Sequence, residues 1–141
     1  MRAFVLIAAS LVIAACSSQP STTEPVVYSQ AEAADSITIR VGRTILVGDV
    51  RIRFEAVESD SRCPMDVVCV WAGDAVANLV VEKTSTESPA VSLRLHTYLE
   101  PRNGVAYGVR IELLTLQPYP RASTPTKADD YVASIRVVAS P

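Results

Sequence analysis

Apolar and polar residues alternate along most of the chain after residue 36. Val50, Ile52, Phe54 and Ala56 share one parity, with Arg51, Arg53 and Glu55 on the other. Val91, Leu93 and Leu95 alternate with Ser92, Arg94 and His96. Val105, Tyr107, Val109, Ile111 and Leu113 form one phase of a long strand, and Tyr131, Ala133, Ile135 and Val137 repeat the pattern near the end. Ile37, Ile39 and Val41 open this region, and residues 75–81 are more continuously apolar. A period of two sends successive side chains to opposite faces, the mark of strands with one buried side. Turn formers separate the runs: Gly42-Arg43, Gly48-Asp49, Ser88-Pro89, Asn103-Gly104 and the proline-rich stretch 118–125. Past the N-terminus no segment has a helical period. The pattern predicts about six to eight short strands, an all-β domain over residues 36–141 built as a β-sandwich, with a small antiparallel β-barrel as the alternative. Leu116, Pro118 and Tyr131 are similar in arrangement to the tyrosine-corner region of immunoglobulin-like domains, which implies an immunoglobulin-like β-sandwich.

Residues 1–15 break this pattern. Met1-Arg2 is a short positive start, and residues 3–15 are apolar except Ser10. A run this short does not span a bilayer core, which takes about 20 residues. It has the length of a signal-peptide core. The run ends in Ile13-Ala14-Ala15-Cys16, which resembles the lipobox of bacterial lipoproteins. The resemblance implies that residues 1–15 are a signal peptide, that Cys16 receives a diacylglyceryl thioether, and that acyl chains of the palmitate type hold the protein on a membrane. Each buried CH₂ contributes about 0.8 kcal/mol, so two or three chains make a stable anchor. The alternative is an ordinary secreted protein whose Cys16 merely follows the cleavage site. Ser17 resembles the residue that sorts lipoproteins to an outer membrane, which implies the periplasmic face of that membrane in cells that have one.

Residues 17–35 are rich in Ser, Thr, Pro, Glu and Ala, the composition of a flexible tether. Extended, it reaches about 60 Å. Its cluster Val26-Val27-Tyr28 adds an edge strand in the alternative reading.

Charge narrows the partners. The chain carries 13 basic and 15 acidic residues, a net charge of −2, and loss of Arg2 with the signal peptide makes it one unit more negative. Nucleic acid and a broad anionic surface are therefore not expected partners.

Three cysteines are present. With Cys16 committed to lipid, Cys63 and Cys69 remain in a chain that has crossed an oxidising compartment, and there two leftover cysteines pair. The sharper alternative is a copper(I) site from Cys63, Met65, Cys69 and His96. His96, however, is the sole histidine, and its strand does not place it near the cysteines.

The same loop holds the other candidate residues. Trp71, the only tryptophan, is expected to pack on the disulfide as a core anchor; the functional alternative is an exposed aromatic platform. Glu58, Asp60, Asp66 and Asp74 surround the loop with Arg62 among them. They read as solvated loop charges, one paired with Arg62, with calcium as the alternative. Catalytic signatures are missing: there is no Gly-x-Ser-x-Gly elbow, no His-Glu-x-x-His pair and no phosphate-cradling glycine loop.

The stretch from Ile52 to Ala75, with Asp60-Ser61-Arg62-Cys63-Pro64 and Cys69-Val70-Trp71-Ala72-Gly73, is similar to the signature of a group of bacterial envelope proteins to which no activity is assigned. That resemblance covers residues 37–139 and implies a secreted β-domain. The sequence therefore predicts a non-catalytic lipoprotein of the cell envelope without cofactor or metal. It is a binding or assembly module for an envelope protein, and its candidate surface is the loop carrying Glu58, Asp60, Arg62, Asp66, Trp71 and Asp74. The runners-up are an inhibitor of a secreted hydrolase and a metal-binding envelope protein.

Overall fold

A computed structural model describes residues 26–28, 36–85 and 87–140. The expected signal peptide, Cys16 and most of the expected tether lie outside the described residues.

Among the described residues, nine strands form two sheets. They are β1 (Val26–Tyr28), β2 (Ser36–Arg40), β3 (Thr44–Val47), β4 (Val50–Asp60), β5 (Ala75–Lys83), β6 (Val91–His96), β7 (Asn103–Ala106), β8 (Val109–Gln117) and β9 (Val132–Ala139). One sheet runs β3-β4-β5-β6 antiparallel, with β1 added in parallel on the outer edge of β3. The other runs β2-β9-β8-β7, also antiparallel. Val26–Tyr28 thus forms the edge strand, not tether.

The core lies between the sheets. Ile45, Val50, Ile52, Phe54, Leu79, Val81 and Leu95 face Ile37, Ile39, Ile111, Leu113, Ala133, Ile135 and Val137 across it, all buried. The sheets do not close into a barrel. The chain fills one sheet as a meander from β3 to β6 and the other from β7 to β9, with β2 beside β9. An immunoglobulin domain interleaves its strands between sheets instead.

Three local features depart from the expected pattern. The long strand through Val105 and Leu113 is a hairpin. Tyr107 and Gly108 take φ of 51° and 75°, the pair of left-handed residues that a two-residue hairpin turn needs. Cross-strand partners share a face, so Ala106 opposite Val109 is buried and Val105 opposite Arg110 is exposed. The inward parity therefore switches at the turn, although the sequence alternation continues through it. Bulges in β4 replace Ala56 on the inner face by Val57, which packs against the core. A bulge after Leu113 likewise brings Leu116 inward.

Where the two sheets meet, Gly104 of β7 lies over Leu93 of β6. A Cβ there would stand 2.9 Å from a Leu93 methyl carbon, so glycine permits the close approach.

Candidate functional site

The strands at one end of the sandwich release three long connections: residues 61–74 between β4 and β5, 97–102 between β6 and β7, and 118–131 between β8 and β9. Three aspartates tie them to each other and to the frame.

Asp60 closes β4, and its carboxylate meets the Arg62 guanidinium head-on. Nε donates to Oδ1 at 2.8 Å and Nη2 to Oδ2 at 2.6 Å, while the Arg62 amide also donates to Oδ1. The arginine continues across the gap between sheets. Nη1 donates to the carbonyl of Leu116 at 2.6 Å and Nη2 to that of Pro118 at 2.9 Å. The Tyr119 ring covers the guanidinium at 4.7 Å. Both side chains are nearly sequestered, 4% exposed for Arg62 and 9% for Asp60. Burial works against ionisation of Asp60, but the bonds and charge of Arg62 outweigh it and hold the carboxyl below its ordinary value. Tyr131 donates its hydroxyl to the same carboxylate at 3.0 Å, and burial together with Asp60 pushes its phenol up. A tyrosine corner directs that hydroxyl to backbone, so the expected resemblance is not realised.

Asp66 reaches from the first loop to the third. It accepts the amides of Ala122 at 2.7 Å and Ser123 at 3.0 Å, and these bonds hold its carboxyl down to about 2. Asp74 organises the second loop. Burial opposes its ionisation, but His96, the Tyr98 amide, the Thr97 hydroxyl and the Leu99 amide together hold it at about 2. His96 Nδ1 lies 2.6 Å from Oδ2, the Thr97 hydroxyl donates to Oδ1 at 3.0 Å, and the Tyr98 amide does so at 2.8 Å. Glu58 stands apart, on the outer face of β4 in an ion pair with Arg94 at 2.6 Å.

The cysteines form a disulfide with their Cα atoms 5.9 Å apart. The two sulfurs of the copper alternative are thus bonded to each other. Among the described residues no three His, Cys, Asp or Glu side chains gather as a metal site would need.

Gly73 sets the path of the loop back into β5. Its φ is 71°, and a Cβ would fall 1.9 Å from the Ser61 carbonyl oxygen. That approach lets Ser61 and Asp74 pair through backbone at 2.7 Å and Cys63 and Ala72 at 2.9 Å.

The pinned loops turn apolar groups outward. Val68 is fully exposed, Val70 is 90% exposed and Trp71 82%. Met65, Val67, Tyr98 and Leu99 are exposed as well. Trp71 is therefore not the core anchor expected of it. Disulfide and loop alike stand outside the core, so there is no buried slot beside the sulfurs for an indole to fill. Of the other predicted site residues, Asp60 and Arg62 point inward, and Asp66 and Asp74 are occupied with neighbouring loops. Beneath the tip a cleft of about 230 Å³ is lined by Arg62, Gly73, Thr97, Tyr98, Leu116 and Tyr119 among others.

The valines and Tyr98-Leu99 escaped the sequence reading. One signal was available: an apolar run, Val67-Val68-Cys69-Val70-Trp71, inside a segment bounded by turn chemistry, where no strand period buries it. Comparison with protein-family models, with curated proteins and with solved structures finds no match to this chain.

Proposed function

We propose that the protein is a non-catalytic lipoprotein of the cell envelope, anchored through Cys16, and that its β-sandwich serves as a binding or assembly module. One observation carries the binding role. At a single end of a rigid frame, a disulfide-stapled loop exposes Val68, Val70 and Trp71 while its aspartates face back into the fold. Solvated loops ordinarily show the reverse. Contiguous exposed apolar groups on a preorganised loop mark an interaction surface, because little ordering entropy is left to lose on binding. The immunoglobulin-like character of this reading is one of architecture, a sandwich that presents loops at its end, rather than of strand order.

Metabolic labelling with radioactive palmitate tests the anchor. Label is expected on the wild-type chain, and a Cys16→Ala chain that still takes it up disproves the assignment. The binding role is tested by crosslinking in intact cells with and without Val68→Asp. Equal crosslinked products from both chains count against the loop.

A second reading, inhibition of a secreted hydrolase, is favoured by the reach of the same loop. Val68 stands wholly clear of the domain, and a stiff protruding loop suits insertion into an active-site cleft. Unchanged activity of a panel of envelope muramidases and proteases with excess protein excludes it.

A further inference from the structure

We infer that the Val67–Trp71 tip dips into the surface of the same bilayer that holds Cys16, so that the domain is attached at two points. This inference rests on the lipoprotein reading above.

The direction of the first strand supplies the argument. β4 runs toward the loop end, since it finishes at Asp60. β3 runs the opposite way, and β1 is parallel to β3. The N-terminal end of β1, at Val26, therefore points toward the loop end. Val26 pairs with Ile45, which pairs with Ile52, so Val26 sits level with Ile52 on β4. From that level to Asp60 the strand covers roughly 20–26 Å, and the loop stands further out. From Cys16 to Val26 the chain spans at most about 35 Å. With β1 docked, a leash of that length is long enough for the lipidated end to lie at a height similar to that of the loop tip, on the same side of the domain.

The chemistry of the tip fits the occupant. Val67, Val68, Val70, Trp71, Tyr98 and Leu99 are exposed. The acids that flank them are each engaged, Asp66 with the Ala122 and Ser123 amides and Glu100 with the Arg102 amide. The loop amides of Cys63, Met65 and Val67 donate within the protein, to Ala72, Pro120 and Pro64. A partner protein is usually met through free polar or charged groups around an aromatic anchor. The acyl–headgroup boundary requires none, and it favours aliphatic side chains with Trp and Tyr at the interface.

Trp71 is the only tryptophan in the chain, so its fluorescence reports the tip alone. The full chain, purified from membranes, is reconstituted into vesicles of phosphatidylethanolamine with a minor share of phosphatidylglycerol. Mass spectrometry of its N-terminus reads lipidation independently. The expected result is quenching of Trp71 by lipids brominated near the headgroup, with acrylamide quenching at least roughly twofold weaker than in dilute detergent. Val68→Asp with Val70→Asp should abolish the bromine quenching while thermal unfolding stays unchanged, because both side chains face solvent. A lipidated chain whose Trp71 ignores the bromine overturns the inference, leaves the anchor standing and returns the tip to a protein partner. A chain without lipid at Cys16 overturns the lipoprotein reading; bromine quenching in that chain would still support tip insertion, and its absence would end both.

Discussion

Arg62 and Asp60, two residues apart, form a forked pair that joins the two sheets: the carboxylate belongs to the end of β4, and the guanidinium also holds the carbonyl of Leu116 in the opposite sheet and that of Pro118 just beyond its strand. Removing one partner of a buried pair strands the other charge. Arg62→Leu is expected to cost about 3–5 kcal/mol in urea unfolding. Asp60→Leu with Arg62→Leu should cost less than the single change, since no lone charge is then buried. A double variant less stable than Arg62→Leu alone would refute this account.

Acid should loosen the loop end. Asp66 and Asp74 have folded values of about 2 against an ordinary 3.8, and Asp60 is lowered too. A depressed folded value means the unfolded chain takes up protons first as pH falls. The stabilisation is thus complete above about pH 4.5 and drains away toward pH 2. The melting temperature should be flat with respect to these groups from pH 7 to about 4.5 and fall below that. Asp66→Asn should make the acid limb shallower, and an unaltered limb would remove Asp66 from the explanation.

Two glycines separate backbone strain from collision. Gly42 and Gly73 both have positive φ, 76° and 71°, but a Cβ on Gly42 meets nothing within 4 Å. Gly42→Ala should cost about 1–2 kcal/mol, the strain alone. Gly73→Ala should cost about 3 kcal/mol or more and disturb the Ser61–Asp74 pairing as well. Equal losses in denaturant titrations would mean that the Ser61 carbonyl yields easily.

The disulfide is expected to govern loop order more than global stability. For so short a loop, chain entropy sets its contribution at about 2 kcal/mol. Asp66 and the Met65–Pro120 backbone bond at 3.0 Å hold the same loop independently. Cys63→Ser with Cys69→Ser should therefore fold, lose about 1–2 kcal/mol, and show lower Trp71 fluorescence anisotropy. A variant that fails to fold would assign the bond a larger part.

The all-β class was legible because a buried sheet face imposes a period of two, and Val50, Ile52 and Phe54, or Ala133, Ile135 and Val137, satisfy it without reference to anything distant. The Cys63–Cys69 pairing was legible from the number of cysteines once Cys16 was set aside. Parity failed where the backbone itself changed the count, at the Tyr107-Gly108 turn and at the bulges, since a sequence does not mark which residue is left unpaired. The carboxylates near the loop were all named, and one was expected to pair with Arg62, as Asp60 does; the roles of Asp66 and Asp74 were not legible. Asp66 meets residues 122 and 123, and Asp74 meets 96–99, across intervals that only the folded chain closes. The same holds for Trp71. Local sequence determined that an aromatic group follows the second cysteine; the tertiary structure decided that it faces outward, because the loop leaves the sandwich where the two sheets have no more core to bury it in.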